Sequence, residues 1–157
     1  MAIDADAQRR VMGYLATGVT VVTSRMGDEL CGMTANAVTS LSLDPPLVLV
    51  AVDKRAAFHA CLKAGGGFAV NVLSVEQEDL SRRFATSGLK DFSDLDWTEA
   101  ASGAPVFSDA LAWVDCRLVE VLPGGDHDIF IGEILAGDAR EGSPLLFYRG
   151  EYRRLDD

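Results

Sequence analysis

Small polar side chains alternate with apolar ones along residues 32–46, and this is the clearest pattern in the chain. The polar members are Thr34, Asn36, Thr39, Ser40 and Ser42. The apolar residues between them are Ala35, Ala37, Val38, Leu41 and Leu43. Such alternation predicts an extended segment with one face in the core and one face lined with hydrogen-bonding groups. Hydroxyls, an amide and close backbone N–H groups can bind a phosphate or the polar edge of a ring.

Two strongly strand-like runs flank this segment. Residues 18–24 are rich in β-branched side chains, and a turn at residues 26–29 predicts that the chain pairs back as a hairpin from Leu30. Residues 47–52 are apolar at every position, as in a strand buried on both faces of a barrel wall. The sequence Asp44-Pro45-Pro46 ends the polar segment, because neither proline can donate a ladder hydrogen bond.

The rest of the chain predicts more short strands and a few helices. Strands are predicted at residues 68–73, 110–122, 129–136, 145–148 and 152–155, and helices at residues 4–16, 56–64 and after Ser74. Ser74 and Gln77 form a capping-box pattern, and Leu80 and Phe84 recur on one face of the helix that follows. Residues 86–108 predict a long loop. Many short strands without βαβ alternation predict a mainly β fold, an antiparallel barrel with peripheral helices.

Composition narrows the class of protein. A chain of 157 residues, nearly half of them apolar, predicts one domain over residues 1–157. The net charge of −10 argues against nucleic-acid and anionic-membrane partners, which require basic surfaces. The longest apolar run is too short to span a bilayer, and the first six residues lack the basic region of a signal peptide. These features predict a cytoplasmic protein.

Cysteine usage supports the same compartment. Cys31, Cys61 and Cys116 are odd in number and widely spaced, without the CxxC spacing of a zinc or redox site. The expected state of each is a small buried thiol.

Motifs of protein-based catalysis are missing from the sequence. It contains no GxSxG, no GxGxxG and only two histidines, so neither an esterase elbow nor a Rossmann site nor a histidine-rich metal site is expected. The triple glycine at residues 65–67 lacks the Lys-Ser/Thr of a phosphate loop and predicts a turn. This pattern suits a protein in which a bound cofactor supplies the chemistry.

Several motifs, in order along the chain, resemble those of the short-chain NAD(P)H:flavin reductases. They are residues 32–53, then FAVNVL at 68–73, LSRRFA at 80–85, GGDHDIFIGE at 124–133 and PLLFYRG at 144–150. Members of this family are the reductase components of two-component flavin-dependent monooxygenases. The resemblance implies an antiparallel Greek-key split β-barrel of the FMN-binding type. It also implies a homodimer that transfers a hydride from NADH or NADPH to FMN or FAD, with the reduced flavin diffusing to a separate monooxygenase.

The resemblance also implies which residues hold the flavin. They are Met33, Thr34, Ala35, Asn36, Thr39, Ser40, Ser42, Asp53, Lys54, Arg55, Ala56, Asn71, Arg82 and Phe84. Lys54 or Arg55 is expected near the flavin phosphate. At most one of Arg82 and Arg83 is expected to reach a ligand, because adjacent helical residues point in different directions.

His127, Tyr148 and Arg149 are implied in binding the nicotinamide nucleotide. From its surroundings alone, His127 has two interpretations: a solvated hairpin histidine, or a side chain that hydrogen-bonds or stacks against the nucleotide. It is also the one candidate for a catalytic group. Two alternatives to a flavin reductase remain, a related split-barrel protein that uses flavin for another reduction and a non-catalytic flavin-binding electron carrier.

Overall fold

The computed structural model describes residues 2–155, and within them the chain forms three α-helices and twelve β-strands. The helices are α1 (Ala5–Met12), α2 (Ala57–Gly65) and α3 (Glu78–Ala85), with a 3₁₀ turn at Val75–Gln77. The first six strands are β1 (Thr17–Gly18), β2 (Thr20–Met26), β3 (Glu29–Ala35), β4 (Val38–Leu43), β5 (Pro46–Asp53) and β6 (Gly67–Val72). The others are β7 (Trp97–Glu99), β8 (Pro105–Phe107), β9 (Ala112–Gly124), β10 (His127–Ala139), β11 (Leu146–Tyr148) and β12 (Glu151–Arg153). The mainly β class predicted from the sequence is confirmed.

One antiparallel sheet dominates the molecule, with the strand order β3-β2-β6-β9-β10-β5-β4. Its two edges, β3 and β4, are consecutive in the chain and are joined only by Asn36 and Ala37. Two residues span a few ångströms, so the sheet must curl until its edges meet at this point. The result is a barrel that is split between β3 and β4, as the resemblance implies. Smaller sheets, β1-β11-β12 and β7-β8, pack beside it.

Two apolar clusters pack the helices α2 and α3 against the barrel. Phe58 and Leu62 of α2 pack into the barrel against Phe68 and Phe130, and all four side chains are at most 4% exposed. The second cluster surrounds Phe84 of α3 and closes the other side of the β2–β3 hairpin. Both helices are therefore anchored to the barrel by large buried side chains.

The structure corrects several element boundaries. The extended segment expected along residues 32–46 covers the end of β3 and all of β4, which lie on opposite sheet edges and are separated at Asn36 and Ala37. The first helix is shorter than residues 4–16, and it begins where Asp4 accepts a hydrogen bond from the Ala7 N–H. The expected loop at residues 86–108 contains the β7–β8 hairpin. The capping box of Ser74 and Gln77 is confirmed.

The expectation of three buried thiols is wrong for two cysteines. Cys31 of β3 and Cys61 of α2 form a disulfide. Cys116 is a free thiol that is 0% exposed. The error arises because the partners are 30 residues apart and no local spacing links them.

None of the helices within residues 2–155 combines the length and the hydropathy that crossing a bilayer requires.

Candidate functional site

A cavity of about 580 Å³ opens beside the β3 edge of the barrel. Most of its walls come from four parts of the chain: residues 32–36 at the end of β3, residues 55–58 at the start of α2, residues 81–90 of α3 and its following loop, and the β11–β12 hairpin. A volume of this size is typical of pockets that enclose a small organic ligand. The pocket therefore lies on the polar segment that the sequence singles out.

Hydroxyl groups tie the pocket walls to one another. Thr34 donates a hydrogen bond of 2.5 Å to the Ser81 carbonyl, which joins β3 to α3. The Ser81 hydroxyl lies 2.7 Å from the Tyr152 hydroxyl, which joins α3 to β12. These contacts satisfy much of the hydrogen-bonding capacity of the three side chains, so their first effect is to hold the pocket in shape.

An aromatic side chain forms the apolar floor. Phe84 is 1% exposed and packs against Phe92 and Phe107. Its ring lies so close to β3 that a Cβ atom on Gly32 would be 2.7 Å from it. Glycine at position 32 therefore permits the contact between α3 and the strand, and any larger residue would displace the floor of the pocket.

The positively charged side chain of Arg55 lies at one rim of the pocket. The Arg55 guanidinium is paired with Asp53 at 2.9 Å, and the Arg55 N–H donates to the same carboxylate at 2.8 Å. The hydrogen bond from the Arg55 side chain, then that from its backbone, holds the pKa of Asp53 well below its usual range. Asp53 thus stays ionised and orients Arg55, whose side chain is 85% exposed and open to an anion.

A second cation lies along the loop after α3. The Lys90 ammonium donates to the carbonyls of Thr86 and, at 2.8 Å, Gly88. Partial burial lowers the pKa of Lys90. The lysine thereby folds the loop 86–90 into the pocket wall.

The structure brings about half of the expected flavin contacts together. The pocket is lined by Met33, Thr34, Ala35, Asn36, Arg55, Ala56 and Phe84. Thr39, Ser40 and Ser42 lie instead on β4, the opposite edge strand. Asp53 and Lys54 lie just before the rim, and Arg82 contacts Glu78 at 3.0 Å and the Tyr152 ring at 4.8 Å.

Asn71 is a correction to the expected site. Its side chain is 0% exposed in the core. Its amide nitrogen donates to the Val21 carbonyl at 3.1 Å and to Thr23 at 3.3 Å, and its oxygen accepts from the Phe107 N–H at 2.9 Å. The prediction that Asn71 faces the flavin is therefore wrong, because its polar atoms connect β6 to β2 and β8.

The expected nicotinamide contacts lie in two places. His127 begins β10 directly opposite Asp53 of β5, and its Nδ1 is 2.7 Å from the Asp126 carboxylate. This register places His127 beside the rim that carries Arg55. Tyr148 and Arg149 are on the far side of β11, where both contact the Tyr14 ring. The structure therefore separates His127 from the other two candidates.

A histidine–carboxylate pair lies next to His127. His59 of α2 is 2.7 Å from Asp128 of β10, and both side chains are mostly buried. The His59 ring also packs edge-on against Phe130. This pair links the helix that lines the pocket to the strand that begins with His127.

Sequence reasoning missed the second half of the pocket. The missed lining residues are Val19, Gly32, Ala57, Phe58, Ser81, Ala85, Thr86, Ser87, Gly88, Lys90, Phe147 and Tyr152. A usable signal existed for one group, since Ser81, Phe84, Ala85 and Gly88 recur at helical spacing. No local pattern brings the β11–β12 hairpin to the same place.

Comparison with known proteins adds an independent observation. The model of the flavin reductase like domain matches residues 12–156. The reductase subunit of a flavin-dependent monooxygenase from Rhodococcus jostii is 38% identical over 99% of this chain and 80% of that protein. An FMN reductase (NADH) from Agrobacterium fabrum is 42% identical over 94% of this chain and 84% of that protein.

A solved structure shows the same similarity in three dimensions. The NADH:FAD oxidoreductase of Streptomyces globisporus, in complex with NAD and FAD fragments, is similar with a TM-score of 0.92 and 42% sequence identity. The match covers 99% of this chain and 97% of that chain.

Proposed function

Because the chain belongs to the flavin reductase-like domain family, we propose that it transfers a hydride from NADH to FMN or FAD and supplies the reduced flavin to a separate monooxygenase. Relatives bearing these activities in their names support the proposal. The observation that carries it is the 580 Å³ pocket built on residues 32–36, which belong to the first of the motifs that carry the resemblance. We also propose that residues 1–157 form one flavin reductase-like domain.

A flavin bound in this pocket would supply the redox chemistry by accepting the hydride of the reduced nicotinamide. The residues of this chain bind the flavin and orient its ring. Met33, above the floor that Phe84 forms, offers apolar surface to a planar ring, while the exposed Asn36 amide offers a donor and an acceptor at its edge. Arg55 at the rim is placed to pair with the flavin phosphate.

His127 is the proposed contact to the nicotinamide nucleotide. Pairing of β10 with β5 sets it opposite Asp53, the partner of Arg55 at the pocket rim, and the Asp126 carboxylate lies 2.7 Å from its Nδ1. The His59–Asp128 contact supports the same strand from behind. A histidine held in this way is suited to orient a ring or hydrogen-bond a nucleotide.

A homodimer is the proposed assembly. In the described chain, α1 contributes no residue to the core, and Val11, Met12, Tyr14 and Leu15 are each more than half exposed. Leu43 on the edge strand β4 is 91% exposed. A second copy would cover such apolar surfaces and cap the open sheet edge.

The decisive experiment is NADH and NADPH oxidation by the purified protein with FMN, FAD or riboflavin added. We expect flavin-dependent NADH oxidation. A yellow protein that oxidises neither nucleotide would instead identify the electron-carrier alternative.

A further inference from the structure

A disulfide joins two of the elements that form the pocket. Cys31 lies on β3 directly before the pocket residues Gly32 and Met33, and Cys61 lies on α2 about one turn after the pocket residue Phe58. The two Cα atoms are 6.6 Å apart. This separation falls within the span of about 4.4–6.8 Å usual for bridged cysteines. The bond therefore fixes the distance between two opposing parts of the pocket wall.

The three cysteines differ in their access to a reagent. Cys116 is 0% exposed, and burial, with the negative charge of Asp115, raises the pKa of its thiol to about 12. Since the thiolate is the reactive form, Cys116 is inert in the folded protein. Cys31 is partly exposed whereas Cys61 is 5% exposed, so a small oxidant reaches Cys31 first.

We propose that Cys31 and Cys61 are a reversible oxidation site, that hydrogen peroxide is its oxidant, and that its disulfide tightens the flavin pocket. The inference rests on the proposed function, because the enzyme's own product is the source of the oxidant. Reduced flavin that meets no monooxygenase reacts with dioxygen and gives oxidised flavin and hydrogen peroxide.

The chemistry balances in two steps. The Cys31 sulfur attacks one peroxide oxygen, the O–O bond breaks, and a sulfenic acid and one water form. The Cys61 sulfur then attacks the Cys31 sulfur, the S–O bond breaks, and a second water leaves. Two thiols and one peroxide thus become one disulfide and two waters. A dithiol reductant returns the pair to thiols by exchange.

The effect on the flavin follows from where the bond lies. With the bond closed, β3 and α2 cannot move apart at this point, so a ligand that contacts both does not have to order the two walls when it binds. Such preorganisation is expected to tighten flavin binding by roughly two- to tenfold. Tighter binding slows the release of reduced flavin, and peroxide production falls when peroxide accumulates.

Thiol counting tests the modification itself. Wild-type protein reduced with dithiothreitol, then denatured and alkylated, should carry three alkyl groups by intact mass, equal to its cysteine content. After treatment of the native protein with hydrogen peroxide, only the free Cys116 should be alkylated. Reduction should restore full alkylation. Three alkylated thiols after peroxide treatment would overturn the proposal.

Flavin titration of the same two forms tests the consequence without any mutation. Fluorescence quenching of FMN and FAD should give a lower Kd for the peroxide-treated form. Cys31→Ala and Cys61→Ala should each remove the response to peroxide, and Cys116→Ala, the matched control, should keep it. Equal Kd values for oxidised and reduced wild-type protein would refute the effect on the pocket.

Turnover separates this inference from the proposed function. Aerobic NADH and flavin without a monooxygenase should oxidise the pair with no added peroxide, and catalase should prevent it. Oxidation of the pair that persists at the same rate with catalase would contradict the assigned oxidant. If the protein fails to oxidise NADH in either redox form, the proposed function fails, while mass and flavin titration still decide the thiol chemistry.

Discussion

Arg55 is the charged side chain best placed to meet the flavin phosphate, because Asp53 holds it at the pocket rim. We expect Arg55→Gln to weaken FMN binding while riboflavin, which has no phosphate, binds as before. The contact is exposed to solvent, so the loss of FMN affinity should be small but measurable. Titration with both flavins measures it. Arg82→Gln is the comparison, since Arg82 is engaged by Glu78 and Tyr152, and an equal loss there would reverse this assignment.

Asn36 and Ser40 belong to one polar segment but to different edges of the sheet. Asn36 lines the pocket, whereas Ser40 lies on β4. Asn36→Leu should therefore weaken flavin binding by about 0.5–1.5 kcal/mol, the usual value of one hydrogen bond. Ser40→Ala should leave the flavin Kd unchanged. A loss of affinity in the Ser40 variant would show that the flavin extends across the split to β4.

Because the Cys116 thiol is buried, we expect the folded protein to lose stability against unfolding at alkaline pH. Its folded pKa is raised from 9.0 to about 12, so the folded state keeps the thiol proton where the unfolded state releases it. Unfolding is therefore favoured as pH rises between these values. At pH 10.5 the penalty should be about 2 kcal/mol. Urea unfolding of wild type and Cys116→Ala at pH 8 and 10.5 measures this penalty. If the difference in unfolding free energy between the two proteins is the same at both pH values, the Cys116 proton does not contribute as proposed.

At the scale of elements, local sequence patterns predict many of the strands and helices, but they do not predict how these elements assemble into the site. β-branched runs and the Ser74–Gln77 capping box predict β2 and the start of α3. The sequence does not predict the break between β3 and β4 at Asn36, because the alternation of polar and apolar residues continues on both sides of it. The disulfide and the β11–β12 wall depend on contacts between distant segments, which no window of sequence contains.

The β9–β10 hairpin is the element that presents His127. Gly125 has a φ of 71°, which permits the tight turn, and β5 and β9 hold the strand on both sides. We expect His127→Ala to lower kcat/KM for NADH by about 1–3 kcal/mol through a higher KM. Flavin affinity should hardly change, since residues 32–36 and 55–58 line the proposed flavin site. Steady-state kinetics paired with flavin titration distinguish the two effects, and wild-type kinetics would make His127 a solvated hairpin residue.

The assembly is a property of the whole molecule, and exposed apolar side chains lie on α1 and on the edge strand β4, among other places. Val11→Asp and Leu43→Asp each place a charge in these surfaces, and burying it in a symmetric interface would repeat the penalty in both copies. We therefore expect wild type to have a dimer mass at micromolar concentration by light scattering, and both variants to shift toward monomer. Leu155→Asp, at a residue 57% exposed outside these two elements, is the matched control and should remain dimeric. A monomeric wild type that keeps full reductase activity would contradict the proposed dimer, and flavin titration of the monomeric variants would then show whether the 580 Å³ pocket is complete within one chain.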